Sequence, residues 1–173
     1  MTAITATDPA TAYPLLTTIA HGRALHEISL DVTLATPTYH GQTTLTIHPG
    51  VIDAEAIELY GHSQCAVLAG AIAERTGWPL LLIERYHDSD GWQPTHAAAL
   101  TDDGLALDIY GPRAIADVLL HISGYGSWPL RHRFLNTWQE LSGGYTAAWT
   151  EATDALGIEI GRVFASVLVE AVS

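Results

Sequence analysis

The 173-residue chain contains no lysine; its seven basic residues are all arginine, set against 19 acidic ones for a net charge of −12. Without lysine there is no Schiff base, no phosphate-loop lysine and no lysine general base. The composition, rich in Ala, Gly, Thr and Arg, is what a high-GC genome tends to produce. Its charge argues against nucleic acid as a partner. A surface this acidic repels phosphates, and the arginines form no stripe beyond the short Arg131, His132, Arg133 cluster. Cysteine is nearly absent as well. The single Cys65 has no mate for an internal disulfide, which excludes stapled secreted scaffolds and every multi-cysteine zinc motif. No apolar run approaches the roughly 20 residues of a membrane span, and Met1 to Tyr13 lacks the basic start and apolar stretch of a signal peptide. A cytoplasmic protein without membrane contact is the expectation, and a free thiol fits a reducing compartment.

What is present is a chain 48% hydrophobic and 15% charged, with no repeat, linker or low-complexity tract. At this length about 70% of the unfolded surface is buried on folding, so one domain over residues 1–173 is expected, needing neither disulfide nor structural metal. Asp8-Pro9 predicts a helix start, with Leu15, Leu16, Ile19, Leu25 and Ile28 on one face, although Pro14 and Gly22 interrupt it. Ser29 to Ile47 alternates as a hairpin around a Pro37 to Gly41 turn. Asp53 to Leu59 predicts a short helix, separated by Gly61 from a longer one running from near Ser63 to Gly77. Pro79 to Glu84 is a buried strand, Tyr86 to Pro94 a polar loop. Thr95 to Leu100 and Leu105 to Tyr110 are strands joined by Thr101-Asp102-Asp103-Gly104. Pro112 to Ser123, Phe134 to Leu141 and Tyr145 to Val172 follow helical patterns, the last two broken by Gly143-Gly144. The sum is an α+β fold: a small antiparallel sheet packed against a central helix that carries Cys65, with flanking N- and C-terminal helices.

That helix gives the thiol its interest. With Ser63 as N-cap, Cys65 lies in the first turn, where unpaired N–H groups and the positive end of the macrodipole favour a thiolate. A nucleophile also needs a base and an orienter. His96 opens one strand of the predicted hairpin and Asp108 lies near the end of the other. A type I turn followed by left-handed Gly104 would set Thr101 opposite Leu105 and His96 opposite Tyr110. Asp108 would then share the face of His96, one diagonal step away. A two-residue Asp103-Gly104 loop would send Asp108 to the opposite face. In the first register Cys65 attacks, His96 exchanges the proton and Asp108 fixes the imidazole. The Cys65 backbone N–H would stabilise an oxyanion, aided by Gln64 or Tyr60, and His62 would line the cleft.

The order of these residues resembles the core of transglutaminase-like proteins, within the wider papain-like group of thiol enzymes. It is carried by Gln64-Cys65 opening an Ala-rich helix (Ala66, Ala69, Ala71, Ala73), the Gly77-Trp78-Pro79 exit into an apolar strand, His96-Ala97, Gly104 and Leu107-Asp108. The resemblance covers about residues 61–111. It implies Cys65, His96 and Asp108 as nucleophile, base and orienter, no cofactor, and a protein or peptide substrate. The chain departs from the pattern: Ala98 replaces an aromatic residue after His-Ala, Ile109-Tyr110 replaces a proline after the aspartate, and no glutamine stands several residues upstream of Cys65 as it does in papain. Acyl transfer, peptide hydrolysis, deamidation and arylamine acetylation all use this core, and hydrolysis is the leading expectation.

Each residue also has a plainer role open to it. A lone cysteine in an Ala-rich helix is most often an inert buried side chain, His96 a structural histidine, and Asp108 a turn cap before Gly111-Pro112. A non-catalytic binding or regulatory protein of the same fold, engaging a partner through its acidic surface, is the alternative function. Nine histidines raise a metal reading in which His62, Cys65 and His96 or Asp108 are ligands, but no HExxH or second cysteine supports it. The C-terminal apolar series of Trp149, Ala152, Leu156, Ile160, Val163, Val167 and Val169 packs on the domain's own core or, alternatively, forms a homodimer interface. Tyr125, Trp128, Trp138 and Tyr145 are candidates for a cleft rim.

Overall fold

The computed structural model describes residues 9–34, 40–137, 140 and 155–173. Two short helices, α1 (Pro9–Ala12) and α2 (Pro14–Ala20), precede a 3-10 turn at Leu25–Glu27. The single helical face expected there is broken because His21 takes the left-handed conformation (φ 48°) and Gly22 follows at φ 83°. The strands β1 (Leu30–Thr33) and β2 (Thr44–Ile47) pair antiparallel as the expected hairpin, Leu30 opposite Ile47. Residues 35–39 of its turn lie outside the described residues.

Helix α3 (Ala54–His62) starts where Asp53 accepts the Ala56 N–H at 2.9 Å. It runs straight through Gly61, which was expected to end it, and the break falls at Ser63-Gln64 instead. Gly61 serves a close approach: a Cβ there would stand 2.6 Å from the Tyr110 hydroxyl oxygen. Helix α4 (Cys65–Thr76) follows with Gln64, not Ser63, as its N-cap, and Gly77 closes it at φ 75°.

The main sheet holds five antiparallel strands, β3 (Leu80–His87), β4 (Gly91–Leu100), β5 (Ala106–Asp108), β6 (Gly111–Arg113) and β7 (Leu130–Leu135), in the order β6-β5-β4-β3-β7. Strands β3 and β4 form a longer hairpin than expected, because Tyr86 and His87 pair with Trp92 and Gly91, and only residues 88–90 turn. Pro94 fits inside β4 because of a bulge. Ile83 faces His96 while Glu84 faces Pro94, so Thr95 is the extra residue, next to a proline that has no N–H to donate. Pro112 begins no helix; it sits in the short edge strand β6, which tolerates it for the same reason, and helix α5 (Ile115–Ser123) starts later. The helix expected from Phe134 is likewise a strand at its start. In β7, Arg131 and Arg133 alternate back onto the buried Glu84 at 2.6 and 3.1 Å, holding Phe134 and Leu135 in the sheet.

Helix α6 (Ala155–Glu170) is the described part of the C-terminal helical pattern; residues 141–154, with Tyr145 and Trp149, lie outside the described residues, as does Trp138. It buries Ile160, Val163, Phe164 and Leu168 in the principal core with Leu59, Tyr60, Leu68 and Ile72 of α3 and α4. Of the apolar series considered for a dimer, Leu156, Ile160, Val163 and Val169 pack on the chain's own core, and Val167 is 37% exposed. A second contact joins the termini: the buried Glu159 accepts the Leu15 and Leu16 N–H groups at 3.2 and 2.9 Å, supplying the N-terminus of α2 with an acceptor its own Tyr13 cap lacks. On the sheet, Ala66 and Ala69 of α4 pack on Leu80, Leu82 and Ala97, while Val118 and Ile122 of α5 pack on Leu81, Ile83, Ala98 and Ala106. The small alanines let α4 approach the strands closely. Among the described residues no helix is long and apolar enough to cross a membrane.

Candidate active site

The β4–β5 turn decides whether His96 and Asp108 can meet. Gly104 lies at φ 78°, its N–H bonds Thr101 O at 2.9 Å, and Thr101 N–H bonds Leu105 O at 2.8 Å. Ala99 therefore faces Leu107 and Leu100 faces Ala106, the register in which positions 96 and 108 share a face on a diagonal. The contact is made: His96 Nε2 donates to Asp108 Oδ2 at 2.9 Å. That engages Nε2 and leaves Nδ1 as the ring's other nitrogen, and Cys65 adds to Asp108 in favouring the protonated ring. Cys65 is the first residue of α4, where helix geometry leaves its N–H without an intrahelical acceptor.

All three side chains are withdrawn from solvent, with 4, 4 and 2% exposure for Cys65, His96 and Asp108. Burial alone would strip the proton from His96. The Asp108 and Cys65 hydrogen bonds and charges outweigh it and push the imidazolium up to about 10. Burial would likewise protonate Asp108, and it too is outweighed, by the His96 hydrogen bond and the charges of His96 and Arg113 with help from the Tyr110 N–H, so its carboxyl is held below the usual range. The arrangement is a buried aspartate bonded to a buried histidine, each holding the other toward its charged form.

Asp108 fills the turn-capping role as well. Its Oδ1 accepts the Tyr110 N–H at 2.9 Å, closing the two-residue turn into β6, while Oδ2 serves the site. Arg113 is a residue that sequence reasoning missed. Arg113 faces Ala106 across the β5–β6 ladder, hence on the face of Asp108, and its Nη2 reaches Oδ2 at 2.6 Å. The guanidinium also lies 4.7 Å from the Tyr110 ring centre. The one available signal was Gly111, whose positive φ of 87° permits the tight turn.

His62 stands beside the site, with Nε2 at 3.3 Å from the Tyr110 hydroxyl and 4.0 Å from the buried Glu58 carboxylate. Burial, aided by the charges of His40 and His96, lowers its pKa against the opposing pull of Glu58. His121 of α5 is lowered too, by burial and by the charges of Arg113 and His96, and its Nε2 is 3.0 Å from the Tyr125 hydroxyl. Tyr110, His121 and Tyr125 join His62 as half-buried rings, Tyr125 edge to face with both histidines and Tyr110 tilted against His121, so Tyr125 is at the site while Trp128 instead lies against Arg85. Gln64 contributes its backbone, its carbonyl accepting the Val67 and Leu68 N–H groups. Tyr60 does not reach the cleft. It is fully buried against Phe164 of α6, and burial raises its phenol pKa. Two positions along α3 separate it from His62, which turns the two onto different faces. Among the described residues no three His, Cys, Asp or Glu side chains converge to hold a metal. No family model, no curated protein and no solved structure matches this chain.

Proposed function

We propose that the protein is a thiol enzyme that opens an amide or ester bond through an acyl intermediate on Cys65, as a cysteine peptidase or deamidase does, with water as the final acceptor and a protein or peptide as substrate. The observation that carries this reading is the buried 2.9 Å bond between His96 Nε2 and Asp108 Oδ2, beside a cysteine at a helix N-terminus. With the thiol proton already on His96 Nδ1, the Cys65 thiolate adds to the carbonyl carbon, and the resulting oxyanion meets the Cys65 N–H. Collapse breaks the bond to the leaving group, which departs with the proton from Nδ1. A water then gives its proton to Nδ1 as its oxygen attacks the thioester, and Cys65 leaves as thiolate, restoring its pair with the imidazolium. Throughout, Asp108 holds the ring in one tautomer and balances its charge.

Iodoacetamide alkylation of the folded protein against pH, with C65S and H96Q for comparison, tests it. Cys65 should react rapidly below pH 7, H96Q should move that reactivity to the range of an ordinary thiol near about 8.5, and C65S should not label. With p-nitrophenyl acetate the wild type should carry an acetyl group on Cys65 by mass spectrometry and turn it over. A folded Cys65 inert below about pH 8.5, whatever stands at position 96, overturns the reading in favour of the non-catalytic binding protein.

A further inference from the structure

We propose that Arg113 is a positioning residue of this site: it clamps the carboxylate oxygen that His96 uses, so that Asp108 stays ionised and aimed at the imidazole. The inference rests on the reading of Cys65 as nucleophile, and adds to it a cation on the far side of the orienter.

Four contacts carry it. Arg113 Nη2 and His96 Nε2 converge on one oxygen, Asp108 Oδ2, at 2.6 and 2.9 Å. The other oxygen is tied to the Tyr110 N–H at 2.9 Å, so the carboxylate has no rotational freedom left. The guanidinium lies over the Tyr110 ring, 4.7 Å from its centre, and Tyr110 is also the residue whose backbone fixes Oδ1. A histidine and a turn cap would satisfy Asp108 without it. Arg113 brings a permanent charge that His96 cannot, because His96 exchanges its proton in every cycle while Arg113 keeps its own. When the ring is neutral, Asp108 would otherwise be a buried carboxylate without a counter-charge, ready to take up a proton and lose its hold. The ionisable groups around the pair are Cys65 from α4, His62 from α3, Tyr110 from the β5–β6 turn, Arg113 from β6 and His121 of α5, with Tyr125 beyond it. Of the charges acting on Asp108 within this set, only His96 and Arg113 are cations that favour its ionised form.

The experiment is the pH dependence of iodoacetamide alkylation at Cys65 between pH 3 and 9 for wild type, R113Q and R113K, with melting temperature recorded for each. An opposite charge within about 4–6 Å lowers a carboxyl by one unit or more, so R113Q should move the acid edge of reactivity upward by at least about one pH unit. R113K keeps a cation and should stay within about half a unit of wild type. A purely structural ion pair would lower the melting temperature of R113Q and leave the edge where it is; that result overturns the proposal. Should R113Q fail to fold, R113K decides alone: an edge displaced by a full unit despite the retained charge refutes it. Loss of low-pH reactivity in the wild type itself would instead overturn the thiol-enzyme reading.

Discussion

Replacing Asp108 by asparagine removes one buried charge and leaves two cationic partners facing a neutral amide. Asp108 is 2% exposed and its partners stand at 2.9 and 2.6 Å. Breaking such a pair by neutralising one member costs about 3–5 kcal/mol. His96 can shed its proton in D108N and Arg113 is 19% exposed on its side chain, so the low end, about 3 kcal/mol, applies. For a chain of this size each kcal/mol moves the melting point by about 2–4 °C, which puts D108N about 6–12 °C below wild type. The loss has a pH signature with two limbs. The Asp108 carboxyl is depressed in the fold, so its stabilisation is present above about pH 4 and disappears as pH falls through the folded value. His96 is raised to about 10, so its share is complete below about pH 6.5 and is lost as pH climbs toward 10. The gap between wild type and D108N is therefore widest from about pH 4 to 6.5, narrows on both sides, and keeps the Arg113 share at high pH. Urea unfolding at pH 3, 5.5 and 9.5 measures it. A gap under about 1 kcal/mol at pH 5.5, or one that is flat to pH 9.5, refutes the coupling.

Two further outcomes are expected away from Cys65, His96 and Asp108. In G61A the new methyl would stand 2.6 Å from the Tyr110 hydroxyl oxygen, so the ring must shift and its contact with His62 is lost. Overpacking of this kind costs about 1–3 kcal/mol by thermal or urea unfolding, and adding Y110F should return part of it; no recovery in the double variant would show that the contact is not the cause. E159Q exchanges a buried carboxylate that accepts two N–H groups at the start of α2 for an amide that offers one oxygen. A loss of about 1–2 kcal/mol, with faster hydrogen exchange at Leu15 and Leu16, is the expected result, and unchanged exchange there would count against it.

The pairing of His96 with Asp108 was readable because its signals are local. Gly77 closing α4, the Asp-Asp-Gly turn and the alternation around it are short-range features, and the register that sets His96 diagonal to Asp108 follows from the turn geometry alone. Residues that reach the site from farther along the chain were not readable. Arg113 comes by way of an edge strand of three residues that carries a proline, a pattern that equally suggests a helix start. His121 and Tyr125 are brought in by α5, packed on the sheet through Val118 and Ile122. Tyr60 was misplaced because its helical phase relative to the core depends on where α6 lands. The strand β7 was misread because its arginines look like a solvated charge cluster until the buried Glu84 on the neighbouring strand is known.

By itself, then, the amino-acid sequence determined the lysine-free acidic composition, the α+β class, the extent of α4 to within a residue or two, and a hairpin that can set a histidine against an aspartate. These depend on period, turn chemistry and count, which are properties of neighbouring residues. The tertiary structure decided that Asp108 is shared between His96 and Arg113, that Glu159 rather than a local residue serves the start of α2, and that the C-terminal helix buries Ile160, Phe164 and Leu168 against α3 and α4. Each of those is a pairing of groups from separate elements, in which a buried charge or apolar face is satisfied only by whatever the packed fold places beside it.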